Sequence, residues 1–210
     1  MWLCALVLAV SACADGDQAR HSQAANRLLQ QNGAPDFEDA STPEYAAIRH
    51  TPSGMICLLP ASGAFQFELF PPSSANAGAQ CSSSEGEVVT AWVAVNFREP
   101  TTLDVAFSNS VAQLTNGMSV QPWRGQPSEA DRASPEGLPH YRIHRVRANF
   151  DGEERYLRLS MAEMDGWYLQ QIVSGPLSEA PATEEVTGVS WRQGLQAFAA
   201  ARREQAEAAR

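Results

Sequence analysis

The stretch YRIHRVRANFDGEERYLRLSMAEMDGWYLQQIV, residues 141–173, decides the fold. It contains three β-like runs, YRIHRVRANF, RYLRLSM and WYLQQIV, which are separated by Asp151-Gly152 and Asp165-Gly166. Asp-Gly between alternating apolar runs is a strong hairpin signal, because glycine accepts the positive φ that a tight turn requires. The stretch therefore predicts an antiparallel three-stranded meander.

The first strand of this meander changes the face that carries its apolar residues. One face of the strand carries Tyr141 and Ile143, and the other face carries Val146, Ala148 and Phe150. One extra residue in the strand would bring all five to the same side. We therefore expect a β-bulge near His144-Arg145.

Upstream of the meander the chain predicts four more strands. The runs YAAIRH, MICLLP and AFQFELF are short and β-like, and the last alternates as a half-buried strand does. EVVTAWVAVNF, residues 87–97, is apolar on both faces, which is typical of a strand in the interior of a sheet. Residues 71–86, rich in Pro, Ser and Gly, are expected to form a loop.

A helix is predicted within residues 99–117, where apolar residues recur at i, i+4, i+8 and i+11. Thr101 or Thr102 is its expected N-cap, and Gly117 its stop. A short strand is expected around Val120, followed by a surface loop over residues 124–139.

These elements predict an α+β fold, an antiparallel β-sheet with helices packed against it. We divide the chain into four parts. Residues 1–14 are a signal segment, and residues 15–43 are a flexible polar tether, for which a short helix at 19–31 is the alternative. Residues 44–175 form an α+β domain, and residues 176–210 form a linker and a C-terminal helix that starts at about Ser190. The second half of that helix has few large apolar residues, so we expect it to project into solvent.

The N-terminus predicts export. Residues 2–10 form an apolar run of about nine residues, the size of a signal-peptide core and well short of the roughly 20 needed to span a bilayer. Val10-Ser11-Ala12-Cys13 resembles a bacterial lipobox, which would make Cys13 the lipidated first residue of a periplasmic or outer-membrane-anchored protein. Ala12-Cys13-Ala14 also fits ordinary signal cleavage. No basic residue follows Met1, so the true translation start stays open.

Cys57 and Cys81 are the remaining cysteines, and in an exported chain they most simply form a disulfide. The alternative is a Cys₂His₂ metal site with His140 and His144. Its cysteine spacing is unlike the close pair of zinc modules, so we predict no metal ligands.

Five arginines in the meander form a candidate patch for an anion or an acidic partner: Arg142, Arg145, Arg147, Arg155 and Arg158. The competing interpretation pairs them with Glu153, Glu154 and Glu163, which is ordinary on sheets.

Composition excludes several function classes. The net charge of -9 argues against a nucleic-acid partner. All 15 basic residues are arginine, which excludes lysine-dependent chemistry such as Schiff bases, pyridoxal phosphate sites and the Walker A motif. The motifs of serine hydrolases, zinc proteases and nucleotide-binding proteins are also missing from the sequence, so we assign no catalytic residue and no cofactor.

The motif RHTPSGMICLLP, the second cysteine two dozen residues later, and the DG–RYLR–DGW meander resemble those of uncharacterised small exported bacterial proteins. The order of elements is similar to the Mog1/PsbP-like architecture. That resemblance implies a binding or assembly factor. We expect a non-catalytic envelope protein that binds a protein partner or a small ligand and meets the membrane only through a lipid anchor. A hydrolase with a site assembled from distant residues is the first alternative, and a structural envelope lipoprotein without a ligand is the second.

Overall fold

The computed structural model describes residues 4–70, 76–150, 152–208 and 210, with side chains described from Gly16 onward in the first helix. Over these residues the chain is a mixed α+β protein with two antiparallel sheets. The predicted signal segment, with Cys13, lies outside the described side chains.

The helices are α1 (Cys4–Asn32), α2 (Leu103–Leu114), α3 (Glu129–Arg132) and α4 (Ala180–Ala208). The strands are β1 (Phe37–Asp39), β2 (Ala47–His50), β3 (Met55–Leu58), β4 (Ala64–Leu69), β5 (Asn76–Glu85), β6 (Val88–Phe97), β7 (Ser119–Pro122), β8 (Tyr141–Phe150), β9 (Glu153–Met164) and β10 (Trp167–Pro176).

The large sheet has the order β4-β5-β6-β10-β9-β8-β7, and the small sheet has the order β1-β2-β3. The predicted meander is confirmed as β8, β9 and β10. At its second turn Asp165 and Gly166 have φ values of 51° and 77°, as a tight Asp-Gly hairpin requires. In the first turn Asp151 lies outside the described residues, while Gly152 has a φ of 94°. The strand predicted to be interior is β6, which is paired on both edges.

The predicted bulge in β8 is wrong. The register between β8 and β9 runs without a shift from Tyr141 opposite Ala162 to Phe150 opposite Glu153. The apolar residues change face because helices cover both sides of the sheet. Tyr141 packs against Trp191 of α4, whereas Val146 packs with Leu114 of α2.

The loop expected over residues 71–86 is also wrong for its second part, because β5 occupies 76–85 and pairs with β4 and β6. Its first part, residues 71–75, lies outside the described residues. Small side chains let neighbouring backbones approach closely. A Cβ at Gly78 would lie 2.1 Å from the carbonyl oxygen of Ala94. Tertiary pairing here overrides the low strand propensity of Ala, Ser and Gly.

The segment expected to be a flexible tether is structured. Ala25 of α1 is fully buried, and Leu28 and Leu29 pack against the same core. These residues lie at i, i+3 and i+4, which is enough to hold one helix face on the protein. β1, in the same segment, pairs with β2.

The C-terminal helix begins ten residues earlier than expected, so the predicted linker is wrong. Leu177–Glu179 form a single 3₁₀ turn, and α4 starts at Ala180. The end of the helix does not project, because Arg202 and Gln205 donate hydrogen bonds to the carbonyls of Pro52 and Thr51 at 3.2 and 2.6 Å. The start of α4 is therefore joined to β10 by the 3₁₀ turn, and its C-terminal part is anchored on the protein by Arg202 and Gln205.

The predicted disulfide is confirmed. Cys57 on β3 bonds to Cys81 on β5, with Cα atoms 6.2 Å apart. The bond therefore joins the small sheet to the large one. The α2 prediction is confirmed as well, with the Thr102 hydroxyl accepting from the Val105 amide at 3.3 Å as the N-cap. In the described part of the chain, neither of the two 29-residue helices nor any other is apolar enough to cross a bilayer.

Candidate functional site

The five arginines of the predicted patch do not share one surface. Strand alternation places Arg142 and Arg155 on the α2 side of the sheet and Arg145, Arg147 and Arg158 on the α4 side. Each forms an ion pair: Arg142 with Asp104, Arg145 with Asp131 and Glu184, Arg147 with Glu154, Arg155 with Glu153, and Arg158 with Asp131 and Glu184. The pairing interpretation is correct for Glu153 and Glu154, but Glu163 instead accepts from the Gly166 amide.

Two of these arginines belong to a buried ionic cluster under residues 124–139, which we call the strap. Arg158 is fully buried, and its guanidinium lies 2.9 Å from both Asp131 and Glu184. Arg145 donates to Glu184 at 2.7 Å and also contacts Asp131. The Tyr156 hydroxyl donates to Glu184. Two guanidinium groups and two carboxylates make the cluster neutral.

The electrostatics of this cluster favour a structural role. Burial alone would raise the pKa of Asp131, but Arg158 and Arg145 outweigh it and hold that pKa below its usual value. Burial and the bond to Glu184 raise the pKa of Tyr156 well above its usual range. Asp131 is thus held in its charged form beside the two arginines. The cluster ties the strap and α4 to β8 and β9.

The Cys₂His₂ alternative is excluded, because the sulfur atoms of Cys57 and Cys81 are bonded to each other. His140 is exposed beside Arg142, and His144 lies on the α2 side of β8. Within the described ranges no group of three or more potential ligands is arranged for a metal ion.

A different site lies at the junction of the two sheets, where a cavity of about 290 Å³ opens; we call it the His50 cavity. It is bounded by the ends of strands from both sheets. Its lining includes Asp36, His50, Leu69, Phe70, Asn76, Gly78, Arg98 and Trp167. Register explains why the residues from the large sheet meet here, because Asn76 pairs with Phe97 and Trp167 pairs with Asn96.

His50, at the end of β2, is the most buried charge-capable side chain in this cavity, with 2% of its surface exposed. Its ring packs between Phe37 and Trp167, at centroid distances of 5.2 and 5.9 Å. Nδ1 lies 2.8 Å from the Ser53 hydroxyl oxygen. Among the residues that the structure describes, Nε2 has no hydrogen-bond partner.

The surroundings of Ser53 assign the tautomer of His50. Ser53 is fully buried, and its hydroxyl oxygen accepts from the Met55 amide at 3.1 Å. The single hydroxyl hydrogen is satisfied only if it is donated to Nδ1. His50 Nδ1 is then the acceptor, and Nε2 carries the proton. Burial lowers the pKa of His50 to about 4, although Asp36 opposes the shift, so the ring is neutral near pH 7. It therefore offers the cavity one N–H donor.

A second concavity, of about 740 Å³, runs between α1, the small sheet and α4. Its rim includes side chains that are unusually exposed for their type, and Val186 is 72% exposed. Tyr45 and Leu58 line the same groove at 39% and 38% exposure. Its described lining also includes the exposed charged residues Arg20, Glu44 and Glu85, and none of the charged residues in that lining is buried.

No known protein family, no curated protein and no solved structure matches this chain. The similarity of its element order to the Mog1/PsbP-like architecture therefore stays a prediction.

Sequence reasoning missed both His50 and the ionic cluster. His50 lies three residues before Ser53 in the turn HTPSG, a spacing that permits a side-chain contact across a tight turn. That was the one local signal available. The other cavity residues come from five separate strand ends, and a linear pattern does not show that they meet.

Proposed function

We propose that this protein is a non-catalytic binding protein that holds a small ligand in the His50 cavity. The observation that carries the proposal is the Nε2–H of His50, a side chain that is 98% buried, lines the cavity and has no Nε2 acceptor among the described residues. His50 Nε2 is not among the described polar atoms that are both buried and without a partner, so this N–H is accessible from the cavity. A bound acceptor can therefore reach it, and the hydrogen bond would fix the orientation of the ligand.

The hydrolase alternative rests on one observation, the proximity of His50 to Ser53. The geometry argues against it. The Ser53 hydroxyl is fully buried and commits its oxygen and its hydrogen to Met55 and His50. A nucleophile must reach its substrate, and a general base needs a free lone pair. The buried Ser53 hydroxyl cannot reach a substrate, and Nε2 of His50 has no free lone pair because it carries the proton.

The proposal includes export and a lipid anchor at Cys13. The Cys57–Cys81 disulfide supports an oxidising compartment. Intact mass of the protein from the membrane fraction of its native host tests this part. We expect a chain that begins at Cys13 and carries acyl groups. An unprocessed chain would contradict export, whereas a chain cut elsewhere in the leader and without acyl groups would support plain secretion.

Ligand binding is tested by NMR with ¹⁵N-labelled histidine. The protein has four histidines, so His21, His140 and His144 serve as internal controls. In the free protein we expect the His50 signals of the Nε2–H tautomer. A ligand from a library of small polar metabolites should move Nε2 of His50 and leave the other three rings unchanged. If no compound moves it, the binding proposal fails and a structural lipoprotein without a ligand becomes the better interpretation.

A further inference from the structure

We infer that the ligand of the His50 cavity is a small zwitterion, an α-amino acid with an apolar side chain. This inference rests on the function proposed above and specifies the ligand class for the same site. Three features of the cavity lining carry it: a buried N–H donor, exposed side chains of both charges, and apolar side chains.

The floor selects an oxygen acceptor. His50 presents Nε2–H, and its other ring nitrogen is held by the Ser53 hydroxyl. Because a neutral N–H in a buried position bonds best to a charged or strongly polar oxygen, a carboxylate is the favoured partner. Arg98, the residue after the end of β6, also lines the cavity and adds positive charge to it. With five N–H donors, a guanidinium serves a ligand in addition to any protein partner.

Asp36 selects a cation. Asp36 precedes β1, and its carbonyl accepts from the Thr51 amide at 2.8 Å, which fixes its backbone next to the β2–β3 turn. Its side chain is exposed, lines the cavity, and makes no ion pair with any described residue. Asp36 and His50 line the same small cavity, so one ligand can contact both side chains. An ammonium group is the matching ligand group.

The wall and the volume limit the rest of the ligand. Leu69, Phe70 and Trp167 provide apolar surface along one side. A volume of about 290 Å³ lies at the lower limit of ordinary ligand sites, which hold roughly 300–1,000 Å³. It fits a single amino acid with an aliphatic or aromatic side chain and is too small for a peptide of several residues.

The test compares three probes of the same size by calorimetry and by the His50 NMR signal: leucine, leucinamide and 4-methylpentanoate. They carry both charges, only the positive charge, and only the negative charge. We expect leucine to bind at least tenfold more tightly than either of the others and to move Nε2 of His50. Asp36→Asn should reduce the affinity for leucine about tenfold and leave that for 4-methylpentanoate unchanged. Glu44→Gln, an exposed control away from this cavity, should change neither.

The outcomes separate the two proposals. Equal affinity for leucine and 4-methylpentanoate, or an Asp36→Asn variant that binds leucine normally, overturns the zwitterion inference and leaves the binding function in place. The same holds if none of the three probes binds but another library compound moves the His50 signal. If no compound moves that signal, both proposals fail.

Discussion

The carboxylate of Glu184 on α4 lies 2.9 Å from the guanidinium of Arg158 on β9, and neither side chain is exposed to solvent. Asp131 on the strap and Arg145 on β8 complete the group. The two positive and two negative charges balance only while all four are present. This cluster helps to hold the strap on the first half of α4, together with Arg192, which donates to the carbonyls of Ala130 and Ser134.

Replacing Glu184 with glutamine should destabilise the fold by about 3–5 kcal/mol, because it leaves an excess positive charge buried beside Arg158. Chemical denaturation measures the loss. Glu185→Gln is the matched control, since Glu185 is the next residue, is exposed, and contacts only the edge of the strap through the Glu129 amide. Glu185→Gln should lower the free energy of unfolding by less than about 1 kcal/mol. Equal losses in the two variants would contradict the importance of the buried pair.

Gly188→Ala should destabilise the protein although alanine is the better helix former by roughly 1 kcal/mol. An added Cβ would lie 1.9 Å from the Ser128 hydroxyl oxygen and 2.5 Å from its Cβ. Overpacking of this kind typically costs about 1–3 kcal/mol. Adding Ser128→Gly to this variant removes both clashing atoms and should recover part of the loss in urea denaturation. A more stable Gly188→Ala protein would contradict this close approach of strap and helix.

Removing the disulfide by Cys57→Ser with Cys81→Ser should lower the free energy of unfolding by about 3 kcal/mol, as expected for a closed loop with a sequence separation of 24. Reductant should lower the Tm of the wild type toward that of the double variant. The double variant itself should not respond to reductant. A reductant effect of the same size on the double variant would point to a cause other than this bond.

The buried His50 should weaken the fold in acid. Its folded-state pKa of about 4 lies below its ordinary value of 6.5, so the unfolded chain binds the extra proton between these values. Stability is therefore unaffected by this group above pH 6.5 and falls as the pH drops from 6.5 to 4, by about 3 kcal/mol in total.

Denaturation midpoints across this pH range test the effect. His50→Gln cannot titrate, so its stability should fall less steeply than that of the wild type. His140→Gln removes an exposed ring and should retain the wild-type slope. A wild-type slope in His50→Gln would show that other groups cause the acid sensitivity.

The meander could be predicted because its information is local. Asp165-Gly166 fixes a tight turn, and the alternation around it fixes which strands pair. The Cys57–Cys81 bond could also be predicted from the sequence, since only two cysteines follow the predicted leader. In contrast, β5 was missed because its Ala, Ser and Gly residues have little strand propensity of their own, and neighbouring strands supply the reason for its conformation.

The first half of α4 was missed for another reason. Its buried face is formed by Thr183, Glu184, Thr187 and Gly188. A search for hydrophobic periodicity treats such residues as exposed. Glu184 is buried because Arg145 and Arg158 approach it from β8 and β9, and Gly188 is covered by Ser128 of the strap. A charged residue at an inward position becomes predictable only when its distant partner is known.

The disulfide has a consequence for the His50 cavity. Cys57 belongs to β3, the pairing partner of the strand that ends at His50, and Cys81 lies three residues from Gly78 on the opposite wall. One covalent bond therefore sets the spacing between the floor of the cavity and its wall. A molecule that folded without forming this bond would lose that covalent constraint on the cavity. The affinity of a molecule for its ligand would then depend on whether its disulfide had formed.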